Sequence, residues 1–326
     1  MKTLGEGSQL SRFLLAVLTA VGCGCGPSST YLDSPGVYPS PILGDFSRIY
    51  GPVTVEEGEY QAGVDRLPWS GYWYPIARLD ARSALQKYDY LSGHHAFSFE
   101  EERIRTESRP LLPWEGRCDA WAIASILRAE PLAPKEVRVG SRKAVFSVAE
   151  QKALKVFSHE LMDPQDRSVF GLRNDGQGGE AFEDLSPAEF HRIIQVMLGE
   201  KRQAFIMDRD PMPPVWNTPV IGARWTITRS PEDSDWLRVH AWVYTVFPYD
   251  SDLESTERIT QVLEYHYDLR VYPTDLGKVV IDSRWRGRSI QNHPDFVTIL
   301  HEGAGQHSKS LNPELDADWI RTHIEQ

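Results

Sequence analysis

The alternation of hydrophobic and polar positions divides the chain into two regions of different character. Beyond Pro219, β-branched and aromatic residues alternate with polar ones, a period typical of strands with one buried face. Ahead of Pro219, helical spacing dominates. The pattern therefore predicts an α+β fold, with helices first and an antiparallel sheet second. The predicted strands run from Val220 to Arg229, Trp236 to Phe247, Arg258 to Tyr272 and Lys278 to Trp285.

Two helix starts are marked by capping boxes. Ser147 with Glu150, and Ser186 with Glu189, have the spacing at which a hydroxyl and a carboxylate cap each other's backbone N–H groups. We expect the second of these helices to end near Gly199.

Other local signals place two more helices, a loop and a turn. A helix is predicted after Cys118 and ends at Glu130-Pro131, and the last helix is predicted to start at Asn312-Pro313. The aromatic segment 66–75 contains several turn formers, and we interpret it as an ordered loop. A turn is expected at residues 275–277, between the last two strands.

The N-terminus has the pattern of an export signal. Lys2 and Arg12 precede a short apolar run that ends in small residues, too short to span a bilayer as a mature helix. Residues 20–23, Ala-Val-Gly-Cys, resemble a bacterial lipobox, so we predict a lipoprotein signal peptide over 1–22 and lipidation at Cys23. The predicted location is a bacterial membrane, the outer membrane facing the periplasm or the cell surface. The alternative is a cleaved, soluble secreted protein.

Composition suggests how the rest of the chain is organised. Residues 23–60 are rich in Pro, Gly and Ser and resemble a tether. Residues 61–326 fit one large domain or two closely packed lobes. The net charge of -11, without a cluster of Lys or Arg, argues against nucleic acid or an anionic membrane surface as a partner. Contact with a membrane is therefore expected only through the lipid anchor.

Cys118 is the cysteine with the strongest chemical signal. Cys23 and Cys25 lie at the end of the export signal, so Cys118 has no intrachain disulfide partner in a compartment where thiols usually pair. A helix follows it, and a helix N-terminus favours the thiolate form of a cysteine. The charged neighbours Arg117 and Asp119 argue against simple burial. We predict a nucleophile; the alternative is a buried structural cysteine.

A thiol nucleophile needs an imidazole, and two histidines are candidates. His240 lies in the second predicted strand, and His293 lies in a loop after the last strand. The ring must be oriented by a carbonyl-bearing group. Asp282 on a neighbouring strand could orient His240, with Asp268 as a second possibility, and Asp295 stands two residues after His293.

Signals for metals and cofactors are weak. Residues 174–180, Asn-Asp-Gly-Gln-Gly-Gly-Glu, carry oxygen ligands but lack the spacing of an EF-hand, so calcium is left as an open possibility. The chain contains no His-Glu-x-x-His zinc motif, no phosphate-binding glycine loop and no Gly-x-Ser-x-Gly elbow. We therefore predict no cofactor and no metal site.

Five motifs together resemble the transglutaminase elicitor family, over roughly residues 66–297. They are Pro-Trp-Ser-Gly-Tyr-Trp-Tyr-Pro (68–75), Trp-x-Gly-x-Cys-x-x-Trp-Ala-x-Ala-Ser (114–125), Val-Trp-Asn-x-Pro-Val (215–220), Tyr-x-Tyr-Asp-Leu (265–269) and His-Pro-Asp-Phe (293–296). The resemblance implies a papain-like, transglutaminase-like cysteine enzyme fold for residues 61–326. It also implies an exchange in which the amide of a peptidyl glutamine becomes an isopeptide to an amine.

The resemblance also suggests roles for residues. The family's cysteine corresponds to Cys118. His240-Ala-Trp-Val is similar to a motif of the wider transglutaminase-like superfamily, whereas His293 belongs to the elicitor-type motif. The triad we predict is Cys118, His240 and Asp282, with His293 and Asp295 as the alternative pair. Residues expected to contact the substrate are Trp114, Trp121, Trp216, Asn217 and Trp285.

The chain departs from the family pattern at two places. Asp282-Ser-Arg-Trp285 stands where Gly-Gly-Glu-Trp is expected, and Asp119-Ala120 stands where Asn-Gly is expected. The predicted partners are a glutamine-bearing protein or peptide and an amine donor. Two alternatives stay open, a thiol peptidase or amidase and a catalytically inactive, peptide-binding surface lipoprotein.

Overall fold

The computed structural model describes residues 56–64, 67–173, 185–212, 214–231, 233–247, 252–274 and 277–326. The predicted signal peptide, Cys23, residues 23–55 of the tether, the calcium candidate at 174–180 and residues 275–276 of the predicted turn lie outside the described residues. None of the helices in the described ranges combines the length and the apolar character needed to cross a bilayer.

An antiparallel sheet forms the larger layer of the fold. Its central run of strands follows the order β4-β10-β5-β6-β7-β8-β9, and β1 pairs with β6. A separate hairpin is made of β2 and β3. The strands are β1 (Gly58–Gln61), β2 (Lys135–Val139), β3 (Arg142–Phe146), β4 (Arg167–Gly171), β5 (Phe205–Asp208), β6 (Asn217–Arg229), β7 (Trp236–Val246), β8 (Thr260–Thr274), β9 (Gly277–Trp285) and β10 (Phe296–Leu300).

The four alternating segments form β6 to β9, as predicted, and the combination of helices with an antiparallel sheet is confirmed. The pattern missed β10 and also β1 to β5, which lie ahead of Pro219, where helical spacing was expected to dominate. These strands are short. All four residues of β5 are buried, and so are four of the five residues of β10. A strand covered on both faces has no polar alternation, so it lacks the signal on which the prediction depends.

Helices cover one face of the sheet and build a second layer. They are α1 (Arg82–Ser92), α2 (Ala96–Thr106), α3 (Cys118–Leu127), α4 (Val148–Phe157), α5 (Pro187–Ile194), which continues as a π-helix over Gln195–Glu200, and α6 (Ala317–His323). Both predicted capping boxes cap helices. The Ser147 hydroxyl accepts from the Glu150 N–H at the start of α4, and Ser186 accepts from the Glu189 N–H at the start of α5.

The prediction for the last helix was wrong by one turn. Helix α6 begins at Ala317, and Asp316 caps it. Asn312 is fully buried and starts a turn, because its side-chain oxygen accepts from the Glu314 N–H and its amide donates to the Ala96 carbonyl, 2.8 Å away. An asparagine that caps a turn and one that caps a helix have the same local sequence signal.

Helix α3 lies between the two hydrophobic clusters of the molecule. Its residues Ala122, Ile123 and Ile126 join the core beneath the sheet. Its other face, which includes Cys118 and Trp121, joins the cluster of helices and the aromatic loop 67–75. A helix buried on all sides must be apolar around its circumference, and this explains the small and apolar residues that follow Cys118.

A buried ion-pair network holds the N-terminus of α3. The guanidinium of Arg117 pairs with Glu160 and, at 3.0 Å, with Glu100, and all three side chains are almost fully buried. It also lies 4.0 Å from the ring centroid of Phe157. Burial alone would raise the pKa of Glu100, but Arg117 and then Arg103 outweigh burial and hold that pKa below its usual value. Glu100 is therefore ionised beside Arg117.

Replacement of Arg117 by leucine is expected to destabilise the protein by about 3–5 kcal/mol, because it leaves buried carboxylates without their counter-ion. The measurement is the free energy of unfolding in urea. Arg105→Leu is the matched control, since Arg105 pairs with Glu102 on the exposed face of α2, where ion pairs contribute little. Equal unfolding midpoints for the two variants would contradict a structural role for the buried network.

Candidate functional site

Cys118 is the first residue of α3 and is only 2% exposed. The chain enters the helix past Gly116, where a Cβ atom would lie 2.5 Å from the Trp73 carbonyl oxygen. The next N–H group, that of Arg117, donates to the same carbonyl. The expectation that charged neighbours would keep Cys118 near the surface was wrong, because Arg117 is itself buried by its two carboxylates.

The thiol faces the start of β6. Its S–H group donates to the Val215 carbonyl, with 3.8 Å between sulfur and oxygen. The next N–H group, that of Trp216, donates to a carboxylate oxygen of Asp208 at 2.7 Å. The sulfur therefore lies where β5 ends and β6 begins.

The ends of four strands meet at this position. Asp208 at the end of β5 pairs with Asn217 at the start of β6, and Gly171 at the end of β4 pairs with Phe296 at the start of β10. Gly171 has φ +86°, and a Cβ atom there would lie 2.3 Å from the Asp295 carbonyl oxygen. Only glycine fits this position without moving the backbone of Asp295.

His293 lies on the segment that joins β9 to β10. It is 6% exposed and stacks on Trp285, with 5.0 Å between ring centroids and 18° between planes. Its Nδ1 lies 2.8 Å from the Ser289 carbonyl. A carbonyl can only accept, so Nδ1 carries the proton and Nε2 carries the basic lone pair.

Leu185 connects this segment to the sheet. Its carbonyl accepts from the Trp285 indole N–H at 3.2 Å, and its N–H donates to the Asp295 carbonyl at 3.3 Å. Trp285 also packs on Phe190 and Tyr265, which belong to the core beneath the sheet. His293, Asp295 and Cys118 therefore lie on the same side of the sheet, the side that α3 covers.

Asp208 is a site residue that the sequence interpretation did not select. Its side chain is fully buried, and one of its oxygens has no hydrogen-bond partner within the described residues. Burial raises its pKa well above the usual value, and the nearby carboxylates of Asp295 and Asp210 raise it further. The available signal was an apolar run, residues 204–207, that ends in an acid.

His240 lies on the opposite face of the sheet. Its neighbours along β7, Val239 and Ala241, are buried in the same core as Ile123 of α3, so His240 points away from that helix. The predicted triad of Cys118, His240 and Asp282 is inconsistent with this placement.

The two acids considered for His240 lie elsewhere on the outer face. Asp282 is exposed and pairs with Arg270, whereas His240 pairs with His266. Asp268 is fully buried between the guanidinium groups of Arg284 and Arg286. Neither acid is positioned to orient the His240 ring.

The residues expected to contact substrate fall into two groups. Trp121 is fully buried in the helical cluster, so that expectation was wrong. Trp216 and Trp285 are half-buried at the strand ends described above, and the guanidinium of Arg209 lies 4.6 Å from the Trp216 ring centroid. Asn217 is buried beside Asp208, and Trp114 is half-buried ahead of α3.

Comparison with known proteins agrees with the resemblance seen in the motifs. A family model described as transglutaminase elicitor matches residues 103–235, a range that includes Cys118 and Asp208. The crystal structure of the GP42 transglutaminase from Phytophthora sojae is similar, with a TM-score of 0.61 and 16% identity. The similarity covers 85% of this chain and 95% of that chain, and at this identity it shows the fold. A search of curated protein sequences gave no match.

The raised pKa of Asp208 predicts a pH-dependent effect of Asp208→Asn. A folded-state pKa above the unfolded value means that the native protein loses stability as pH rises through the folded pKa. An asparagine resembles the protonated acid and does not ionise, so the variant does not lose this stability. Its stability relative to the wild type is therefore expected to rise as pH increases. Thermal unfolding across pH 4–8 checks this, with Asp282→Asn at an exposed site correcting for net charge. A stability difference that shrinks with pH would contradict the assignment.

Proposed function

Because this chain belongs to the transglutaminase elicitor family, with residues 103–235 matching the family model, we propose that it is a cysteine-dependent acyltransferase that acts on peptidyl glutamine. The observation that carries the proposal is that a thiol at a helix N-terminus and a tautomer-fixed imidazole lie on the same side of the sheet. A papain-like arrangement of nucleophile and base is part of the proposal.

The proposed reaction has two halves. Cys118 transfers its proton to the Nε2 atom of His293, and the sulfur attacks the carboxamide carbon of a glutamine side chain. The tetrahedral intermediate collapses to a thioester, and the imidazolium returns its proton to the leaving ammonia. A primary amine then attacks the thioester, loses a proton to the imidazole and displaces the thiol, so an isopeptide bond forms.

His293 replaces His240 as the proposed base. His293 is nearly buried and held on two sides, by the Trp285 ring and by the Ser289 carbonyl. The carbonyl fixes the tautomer in the way that a triad's third member does. We propose Asp295, fully buried two residues later, as the carboxylate that stabilises the charged ring.

The backbone at the start of α3 supports the oxyanion step. The first N–H groups of a helix have no intrahelical partner and carry positive partial charge. We propose that the Cys118 N–H is one donor to the oxyanion, as in other acyl-transfer sites.

Burial of the two reacting groups favours transfer over hydrolysis. Cys118 is 2% exposed and His293 is 6% exposed, and water that cannot reach a thioester cannot compete with an amine. The half-buried rings of Trp216 and Trp285 offer apolar contacts to a polypeptide substrate. The partners proposed are a glutamine-bearing protein and an amine donor, met outside the cytoplasm if the N-terminal signal acts as predicted.

The burial of Cys118 also favours a second candidate, a catalytically inactive binder of polypeptide. A buried cysteine behaves as a small hydrophobe, and this sulfur already donates to a carbonyl. The two candidates differ in whether a covalent intermediate forms.

Incorporation of a fluorescent primary amine into a glutamine-bearing protein is expected to depend on His293 and not on His240. His293→Ala removes the proposed base and should lower the rate by about 10²–10⁴-fold, the usual contribution of a general base. His240→Ala is the matched control on the opposite face and should retain activity. The similarity of the His-Ala-Trp motif alone assigned the base to His240. Loss of activity in His240→Ala, with activity retained in His293→Ala, would support that assignment instead.

A thioester on Cys118 is the direct test of the mechanism. Wild-type protein incubated with a glutamine peptide and quenched in acid should gain the mass of the peptide minus ammonia, and Cys118→Ser should gain none. Free dye together with released ammonia in the amine assay would favour hydrolysis. A wild-type protein that binds the peptide but never forms the adduct would identify the inactive binder.

A further inference from the structure

Three potential metal ligands meet on the outer face of the sheet, away from the proposed acyl-transfer site. His240 lies on β7, and Glu264 and His266 lie on β8. Their ligand atoms all lie within 4.8 Å of one another. We call these three residues the outer-face cluster.

The strand register explains why the three side chains converge. His240 is directly opposite His266, and Glu264 is two residues before His266, so all three point to the same face. The Nε2 atom of His240 lies 3.4 Å from a carboxylate oxygen of Glu264. Two ligands of one tetrahedral zinc ion lie about 3.4 Å apart, given bond lengths of about 2.0–2.1 Å. One edge of the coordination tetrahedron therefore already has the required length.

The ring of His240 packs against two neighbouring rings. Its centroid lies 3.8 Å from that of the Trp242 indole and 4.2 Å from that of the His266 imidazole. Its Nε2 atom is shielded from solvent and lies beside the Glu264 carboxylate, 3.4 Å away. A nitrogen and a carboxylate oxygen held this close are two ready ligands for one cation.

We propose that the outer-face cluster binds a divalent transition-metal ion of the zinc class. Two imidazoles and one carboxylate are the donor set that zinc accepts, whereas calcium and magnesium prefer oxygen ligands alone. The side chains of His240 and Glu264 are 32% and 57% exposed, so water can supply a fourth ligand. The third ligand, His266, closes on the ion by side-chain rotation, because the strand pairing already fixes its backbone.

This site would act independently of the acyl-transfer chemistry. The sheet separates it from Cys118, and His240 has no part in the proposed reaction. A bound ion would join β7 to β8 through their side chains and stabilise the folded protein in proportion to its affinity.

The test is equilibrium dialysis of chelator-treated full-length protein against zinc chloride. Wild-type protein is expected to bind one zinc ion at this site, and His240→Ala and His266→Ala should each weaken that binding at least tenfold. His307→Ala, which removes an exposed histidine elsewhere, should leave it unchanged. Circular dichroism before titration checks that each variant is folded, and zinc should raise the unfolding temperature of the wild type but not of the two cluster variants.

Cobalt substitution separates this site from the cysteines. Cobalt bound by imidazole and carboxylate should give a visible spectrum without a thiolate charge-transfer band. A thiolate band that accounts for all of the binding would overturn the proposal, as would zinc affinity that is unaffected in both cluster variants. Loss of amine transfer in Cys118→Ser with zinc binding retained would show that the two sites are separate.

Discussion

The arrangement of the site depends on one buried charge. Arg117 brings a guanidinium into the interior, and Glu100 and Glu160 reach it from different parts of the chain. Glu160 also accepts from the Ser310 hydroxyl and the Leu311 N–H. A buried charge tolerates few geometries. Its burial costs desolvation energy, and if a contact is lost, nothing else in the interior offsets that cost. The residue that follows Arg117 is therefore held where the ion pairs require it, and that residue is Cys118.

The sheet separates two kinds of chemistry by the alternation of side chains along β7. Val239 and Ala241 lie in the core that α3 covers, while His240 and Trp242 face outward. A shift of one residue in register would exchange the two sets. The same strand thus supports a water-poor layer around the thiol and a cluster of polar ligands on the other side. His240 and His293 have the same side chain, and only their positions in the fold give them different environments.

The sequence was most informative where one face of an element meets solvent. Strands β6 to β9 show the alternation that such faces produce. Both capping boxes were also placed correctly, because their spacing is local. The alternation around His240 also contained the information that it points outward. For this histidine the period of the strand is a better guide to orientation than the similarity of the His-Ala-Trp motif.

The remaining features depended on contacts that local sequence does not encode. The segment from residue 286 to 295 crosses from β9 to the start of β10, and Leu185 fixes it through two backbone groups. The burial of Asp208 likewise follows from the meeting of four strand ends. Neither the course of this segment nor the burial of Asp208 leaves a spacing pattern in the sequence. Both follow from the way in which the strands pair.

The position of β10 has a consequence for the order in which the protein forms. This strand lies between β4 and β5, although it follows every other strand along the chain. A ribosome or an export channel delivers the N-terminal end first, so the edge strand β4 stays separated from β5 until residues 296–300 emerge. The segment that carries His293 arrives with them, so Cys118 emerges well before the imidazole that is proposed as its base. Under the proposed mechanism, a nascent chain would therefore be unable to modify its neighbours before it has folded.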